Sequence, residues 1–174
     1  MKVLIVGSGA NCREVNTWNT SGYSVFVMNN AWKAVNNWDY LYYPGDFHDL
    51  PTPMEGKNLI TGAFINHFLS KFNLDRISYH ATALFSATYF AMYALKPKLI
   101  GYIGTDMNYS IEGNAFYGKS IPDPLRFGEE VLNLWLKELV NDAKSLKIKL
   151  VNFSNGPSRL PFERVKFSEM ENVK

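Results

Sequence analysis

The sequence predicts an α/β fold: a single, doubly wound, mostly parallel sheet carrying one small lid or irregular insertion. Three observations lead there. Short apolar runs recur along the chain, several closed by Gly or Asn, as strands buried on both faces require. Two helical patterns lie between the later runs, and strands alternating with helices build a parallel sheet. The residues directly after the runs are rich in Gly, Asn, Asp, Ser and Thr, and that edge is where open α/β sheets hold ligands.

Taken in order, residues 3–6 form a continuous β-branched run ended by Gly7, and residues 23–28 form a second. Residues 39–43 are a third, residues 99–103 a fourth closed by Gly104, and residues 148–153 a fifth. The helix predicted over 82–95 starts at a capping residue, Thr82, and is apolar nearly all round, so it packs closely on the sheet. The one predicted over 126–147 has apolar residues at 131, 132, 135, 136, 139, 143 and 146, the spacing of an amphipathic helix. Residues 51–80, with prolines at 51 and 53, are expected to be the lid or insertion. No repeat or linker divides the chain, so residues 1–174 read as one nucleotide-binding domain.

Composition narrows the function classes. A net charge of +2 gives no broad basic field of the nucleic-acid-binding kind. A single cysteine, Cys12, excludes an internal disulfide and any multi-cysteine zinc site. His48, His67 and His80 lack metal-ligand spacing, so no metal is expected. No apolar run nears the roughly 20 residues of a bilayer span. The N-terminus reads as a short β run, not a signal peptide, and a cytoplasmic location is the expectation.

The chemistry is expected beyond the strand ends. Gly7, Ser8, Gly9, Ala10 and Asn11 follow the first strand and lead into a short helix. Glycines there let backbone approach a phosphate, and a helix start offers N–H donors. The third glycine of a dinucleotide fingerprint is replaced by Cys12, and the second strand ends in Asn29 and Asn30 instead of an acid, which disfavours NAD. The paired amides suit a base edge or ribose. Gly104, Thr105 and Asp106 end the fourth strand, and Asp46 follows the third. No DxD pair is present to hold a metal on a diphosphate sugar, so side chains and N–H groups must neutralise a leaving phosphate. Arg13, Lys119, Arg126 and Arg159 are the nearby cations, and Lys119 suits that role as a point charge. Asp46, Tyr109, Tyr117 and Ser158 are candidate phosphate or sugar contacts.

On these residues the chain resembles phage and bacterial proteins related to glycosyltransferase family 42, the sialyltransferase family. It is similar as well to MptE-like 6-hydroxymethylpterin diphosphokinase proteins. The motifs are 6–11 (VGSGAN), 27–31 (VMNNA), 43–46 (YPGD), 98–106 (KLIGYIGTD), and 148–153 leading into 155–158 (NGPS). The resemblance implies a Rossmann-like, metal-independent glycosyltransferase with a nucleotide, CMP-linked in the sialyltransferases, on the glycine loop and on Asn29, with Asn30, Gly104, Thr105 and Thr82 (near the family's Ser or Thr before the buried helix) as further nucleotide contacts. It implies no cofactor beyond the nucleotide-sugar co-substrate. Lys119 falls where that family carries its catalytic histidine. The reading is therefore sugar transfer to a hydroxyl acceptor, a glycan or more remotely modified DNA, with Asp106 and Lys119 as catalytic residues and the host cytoplasm as location if phage-encoded. A diphosphotransferase of the MptE-like type, with Asp46 and Asp106 on a metal, and a non-catalytic nucleotide-binding module remain the alternatives. Self-association is compatible with all three.

Overall fold

A computed structural model describes residues 1–44, 58–74, 77, 82–108 and 128–170. Its strands are β1 (Lys2–Val6), β2 (Tyr23–Met28), β3 (Tyr40–Tyr43), β4 (Asn58–Thr61), β5 (Leu99–Ile103), β6 (Lys149–Asn152) and β7 (Glu163–Arg164). They form one sheet of seven strands in the order β4-β3-β2-β1-β5-β6-β7. Every pair is parallel. The five strands expected from sequence are present within one or two residues of their predicted limits.

Alternation across the sheet divides the core in two. Val3, Ile5, Phe26, Met28 and Ile100 face one side, where they pack with α1 (Gly62–Ser70), α2 (Ala83–Phe90) and α3 (Gly128–Ser145). Leu4, Val6, Val25, Val27 and Ile103 face the other. That side is covered by a first 3-10 helix (Ala10–Thr17), a second (Asn29–Lys33) and the short α4 (Phe167–Met170). The chain steps one way from β1 to β4 and the other way from β5 to β7. A constant right-handed crossover then demands that the covering layer change face between the two halves, and it does.

Two sequence expectations change here. Residues 58–70, placed in a lid or irregular insertion, instead supply β4 and α1, regular parts of the layered fold. Thr61 caps α1 by accepting a hydrogen bond from the Phe64 N–H at 3.2 Å. The helix expected over 82–95 is α-helical to Phe90 and continues as a π turn (Ala91–Leu95) that stops at Lys96 and Pro97. Among the described residues, no helix is long and apolar enough to cross a membrane.

The end of α3 offers a stability test. Lys147 adopts φ 59°, while Ile148 N–H bonds Ala143 O at 2.8 Å and Lys147 N–H bonds Lys144 O at 3.0 Å. This is the six-to-one and five-to-two pair of a Schellman closure, whose left-handed position favours glycine. Lys147→Gly is expected to raise the unfolding free energy by about 1 kcal/mol. Urea denaturation checks it, since the midpoint should rise with an unchanged slope.

Candidate functional site

The direction of strand succession reverses between β1 and β5, so the switch point of the sheet lies at their carboxyl ends. Open α/β sheets hold their ligands in that crevice. Register fixes what meets there: Val6 pairs with Val27 on one side and Ile103 on the other. The loops after β1, β2 and β5 therefore start side by side.

The loops after β1 and β5 interlock. Gly7 N–H donates to Ile103 O at 2.9 Å, and Gly9 N–H to Gly104 O at 2.8 Å. A Cβ on Gly7 would stand 2.3 Å from Gly104 O, and one on Gly9 2.7 Å from Gly104 Cα. Neither of these two glycines has a positive φ, whereas Gly104 does, at 66°. The glycines are thus required by the approach of one backbone to another. The N–H donors of both glycines are already used within the protein. The donors that remain by helix geometry are those of the first turn after Gly9, where Ala10 and Asn11 have no intrahelical partner. Cys12 is buried against Gly104, and burial pushes its thiol up to about 11, so it is no thiolate nucleophile.

Around this junction six buried side-chain oxygens lack a hydrogen-bond partner in the protein: Ser8 Oγ, Asn11 Oδ1, Asn29 Oδ1, Thr82 Oγ1, Thr105 Oγ1 and Asp106 Oδ1. Native interiors satisfy nearly all such groups, so a cluster needs a reason. They come from four separate places, the ends of β1, β2 and β5 and the start of α2. In a chain with this topology, the helix leading into β5 begins at the carboxyl edge of the sheet, which puts Thr82 on the same side. Thr82 occupies the N-cap of α2 yet its hydroxyl makes no capping bond. Asn29 holds φ 54°, a left-handed conformation that asparagine tolerates better than most residues. Asn30, in the second 3-10 helix, and Ala10 border the same loops.

Asp106 is the centre of a polar network. Its Oδ2 accepts the Ser154 hydroxyl at 3.0 Å, and its backbone carbonyl accepts the Arg159 N–H at 3.0 Å. Burial pushes its carboxyl above the ordinary range, opposed by hydrogen bonds from Ser158 and Ser154, the Arg164 charge and the Asn11 amide. The next residue, Met107, is buried with φ 58°, a conformation that costs a non-glycine residue about 1–3 kcal/mol. Strain of this kind beside a buried carboxyl is a mark of sites held for a purpose.

The structure brings together Ser8, Asn11, Thr105, Asp106 and Ser158, with Asn29 at the adjoining strand end. Arg159 is paired with Glu129 at 3.5 Å. Asp46, Tyr109, Tyr117 and Lys119 lie outside the described residues, as do Arg126, His48 and His80. No group of three or more His, Cys, Asp or Glu is placed to hold a metal among the described residues. Sequence reasoning pointed to the segment from Ser154 to Ser158 as a strand end but missed the role of Asn152, which is buried and bonded to both of those serines. The available signal was an asparagine set between two apolar residues, Val151 and Phe153. Neither a protein-family model nor a curated protein matches the chain.

Proposed function

We propose that the chain is a glycosyltransferase that binds a nucleotide sugar at the β1/β5 switch point and passes the sugar to a hydroxyl acceptor. The observation that carries this is the cluster of unpartnered buried oxygens around one carboxyl. Three of the six, Asn11 Oδ1, Asn29 Oδ1 and Asp106 Oδ1, accept only when the carboxyl is ionised, so the ligand must bring several donors. Ribose and sugar hydroxyls, or the amino group of cytosine, supply them.

Asp106 acts as general base. Its raised affinity for protons brings it nearer to neutral pH, where proton abstraction is most effective. The acceptor hydroxyl gives its proton to Oδ1 as its oxygen bonds the anomeric carbon. The bond from that carbon to the phosphate oxygen breaks, and its electron pair leaves with the nucleotide. Lys119 supplies the counter-charge to the leaving phosphate. No cofactor takes part, the reaction needs no DxD-held metal, and the cytoplasm is the fitting location.

Thermal-shift screening with CMP, UDP, ATP, NAD and their sugar conjugates tests the reading. A ligand at about 100 times its Kd adds about 2.7 kcal/mol, a rise of several degrees for a chain of this size. A CMP-linked sugar that both stabilises and turns over supports the proposal. An ATP-dependent, EDTA-sensitive diphosphoryl product would replace it with the diphosphotransferase, and binding without turnover with a non-catalytic module.

Thr82→Val gives a sharper version. An N-cap threonine normally costs about 1–2 kcal/mol to remove. Here the hydroxyl caps nothing, so the free protein is expected to keep or gain stability while nucleotide affinity falls about tenfold. Paired melting curves with and without ligand measure both.

A further inference from the structure

We propose that Asn152 is a positioning residue for Asp106: from the end of β6 its carboxamide fixes the Ser154 backbone, and with it the hydroxyl that Ser154 gives to the carboxyl. The inference rests on the reading of Asp106 as the base of the site. Asn152 is fully buried, in a strand whose neighbouring positions are apolar. A buried amide is costly unless its bonds are made, and here they are made toward one target. Asn152 Oδ1 accepts the Ser154 N–H at 2.9 Å, and Nδ2 donates to Ser158 Oγ at 3.0 Å.

Hydrogen bonding gives the direction. Ser154, held by Asn152 through its backbone N–H, donates its hydroxyl to Asp106 Oδ2. Ser158 Oγ accepts from Asn152 Nδ2 and from the Leu160 N–H at 3.3 Å, so the same carboxamide pins both ends of the 154–158 segment. One side chain thus fixes the serine that holds Oδ2, leaving Oδ1 as the oxygen without a protein partner. The other groups acting on Asp106 are Ser158, the Arg164 charge and the Asn11 amide.

The test follows the Asp106 carboxyl carbon by NMR across pH, without ligand, in Asn152→Leu, Ser154→Ala and the double variant. Each single change removes or disorders a donor to the carboxylate, so each is expected to move the Asp106 titration toward alkaline pH. Because Asn152 acts largely through Ser154, the double variant is expected to move little further than Ser154→Ala. Ser154→Thr, which keeps the hydroxyl, should return the titration toward wild type. Titrations that stay where wild type has them, or single effects that simply add, would overturn the proposal. Should Asn152→Leu not fold, an unmoved titration in Ser154→Ala overturns it alone. The transferase reading fails separately: it falls if no nucleotide or nucleotide sugar binds or turns over in the wild-type chain, whatever the titrations show.

Discussion

A methyl group on Gly104 is expected to destabilise the fold by about 3 kcal/mol, the sum of a left-handed backbone penalty and an overpacking penalty. Both have a visible source. The φ of 66° is one that L side chains rarely adopt, and the new Cβ would lie 2.6 Å from Gly7 O and 3.0 Å from Cys12 Cβ. The neighbour on one side is backbone, which cannot rotate away as the end of a long side chain can. For a chain of this size the melting temperature of Gly104→Ala should fall by roughly 10 °C. Gly22→Ala is the control, since a Cβ there meets nothing within 4 Å and the backbone is ordinary. An equal, small change in both variants would mean the two loops are not locked together.

Asp106→Asn is expected to separate stability from function. The folded protein disfavours the Asp106 carboxylate relative to water, which is what a raised pKa means. The folded state therefore holds the proton more tightly than the unfolded chain. Stability from this group is greatest in acid and is lost as pH rises from the ordinary carboxylate range through the raised value. A neutral amide carries no such penalty, and the Ser154 hydroxyl can still donate to its oxygen. At neutral pH the variant should be more stable than wild type, by on the order of 1 kcal/mol, and the gap should close in acid. Turnover, by contrast, should drop at least about 100-fold with loss of the base. Melting temperature against pH for the two proteins, beside single-turnover rates, reads both effects. A destabilised variant at neutral pH would show that the carboxylate serves the fold instead.

The parts of the fold that sequence made legible are those buried on both faces. All five residues of β5 are buried, and a run such as LIGYI has no other good use. The missed strands sit at the margins. β4 has two exposed residues out of four, and β7 consists of Glu163 and Arg164, both exposed. Neither carries the apolar signal of a central strand, because the sheet itself makes their partners. The strand-end rule found Ser8, Asn11, Asn29, Thr105 and Asp106 without knowing the strand order. It could not find the linkage through Asn152, which exists only because β6 lies beside β5. The glycines carry a related lesson. GSG announces that something approaches the backbone closely, and here that something is another loop of the same chain.

The lock between the β1 and β5 loops has a consequence for how this crevice would work. Ser8 and Asn11 stand on one loop, Thr105 and Asp106 on the other, and two backbone hydrogen bonds join the loops between them. A ligand gripped by the first would therefore be held at a set distance from the carboxyl on the second, with no hinge between the grip and the proposed base. That alignment would be established when the chain folds, so little of the binding energy would be spent in assembling it. Discrimination among ligands at this junction would then rest on which oxygens find their donors, as in a keyed socket, and not on a closing motion of these two loops.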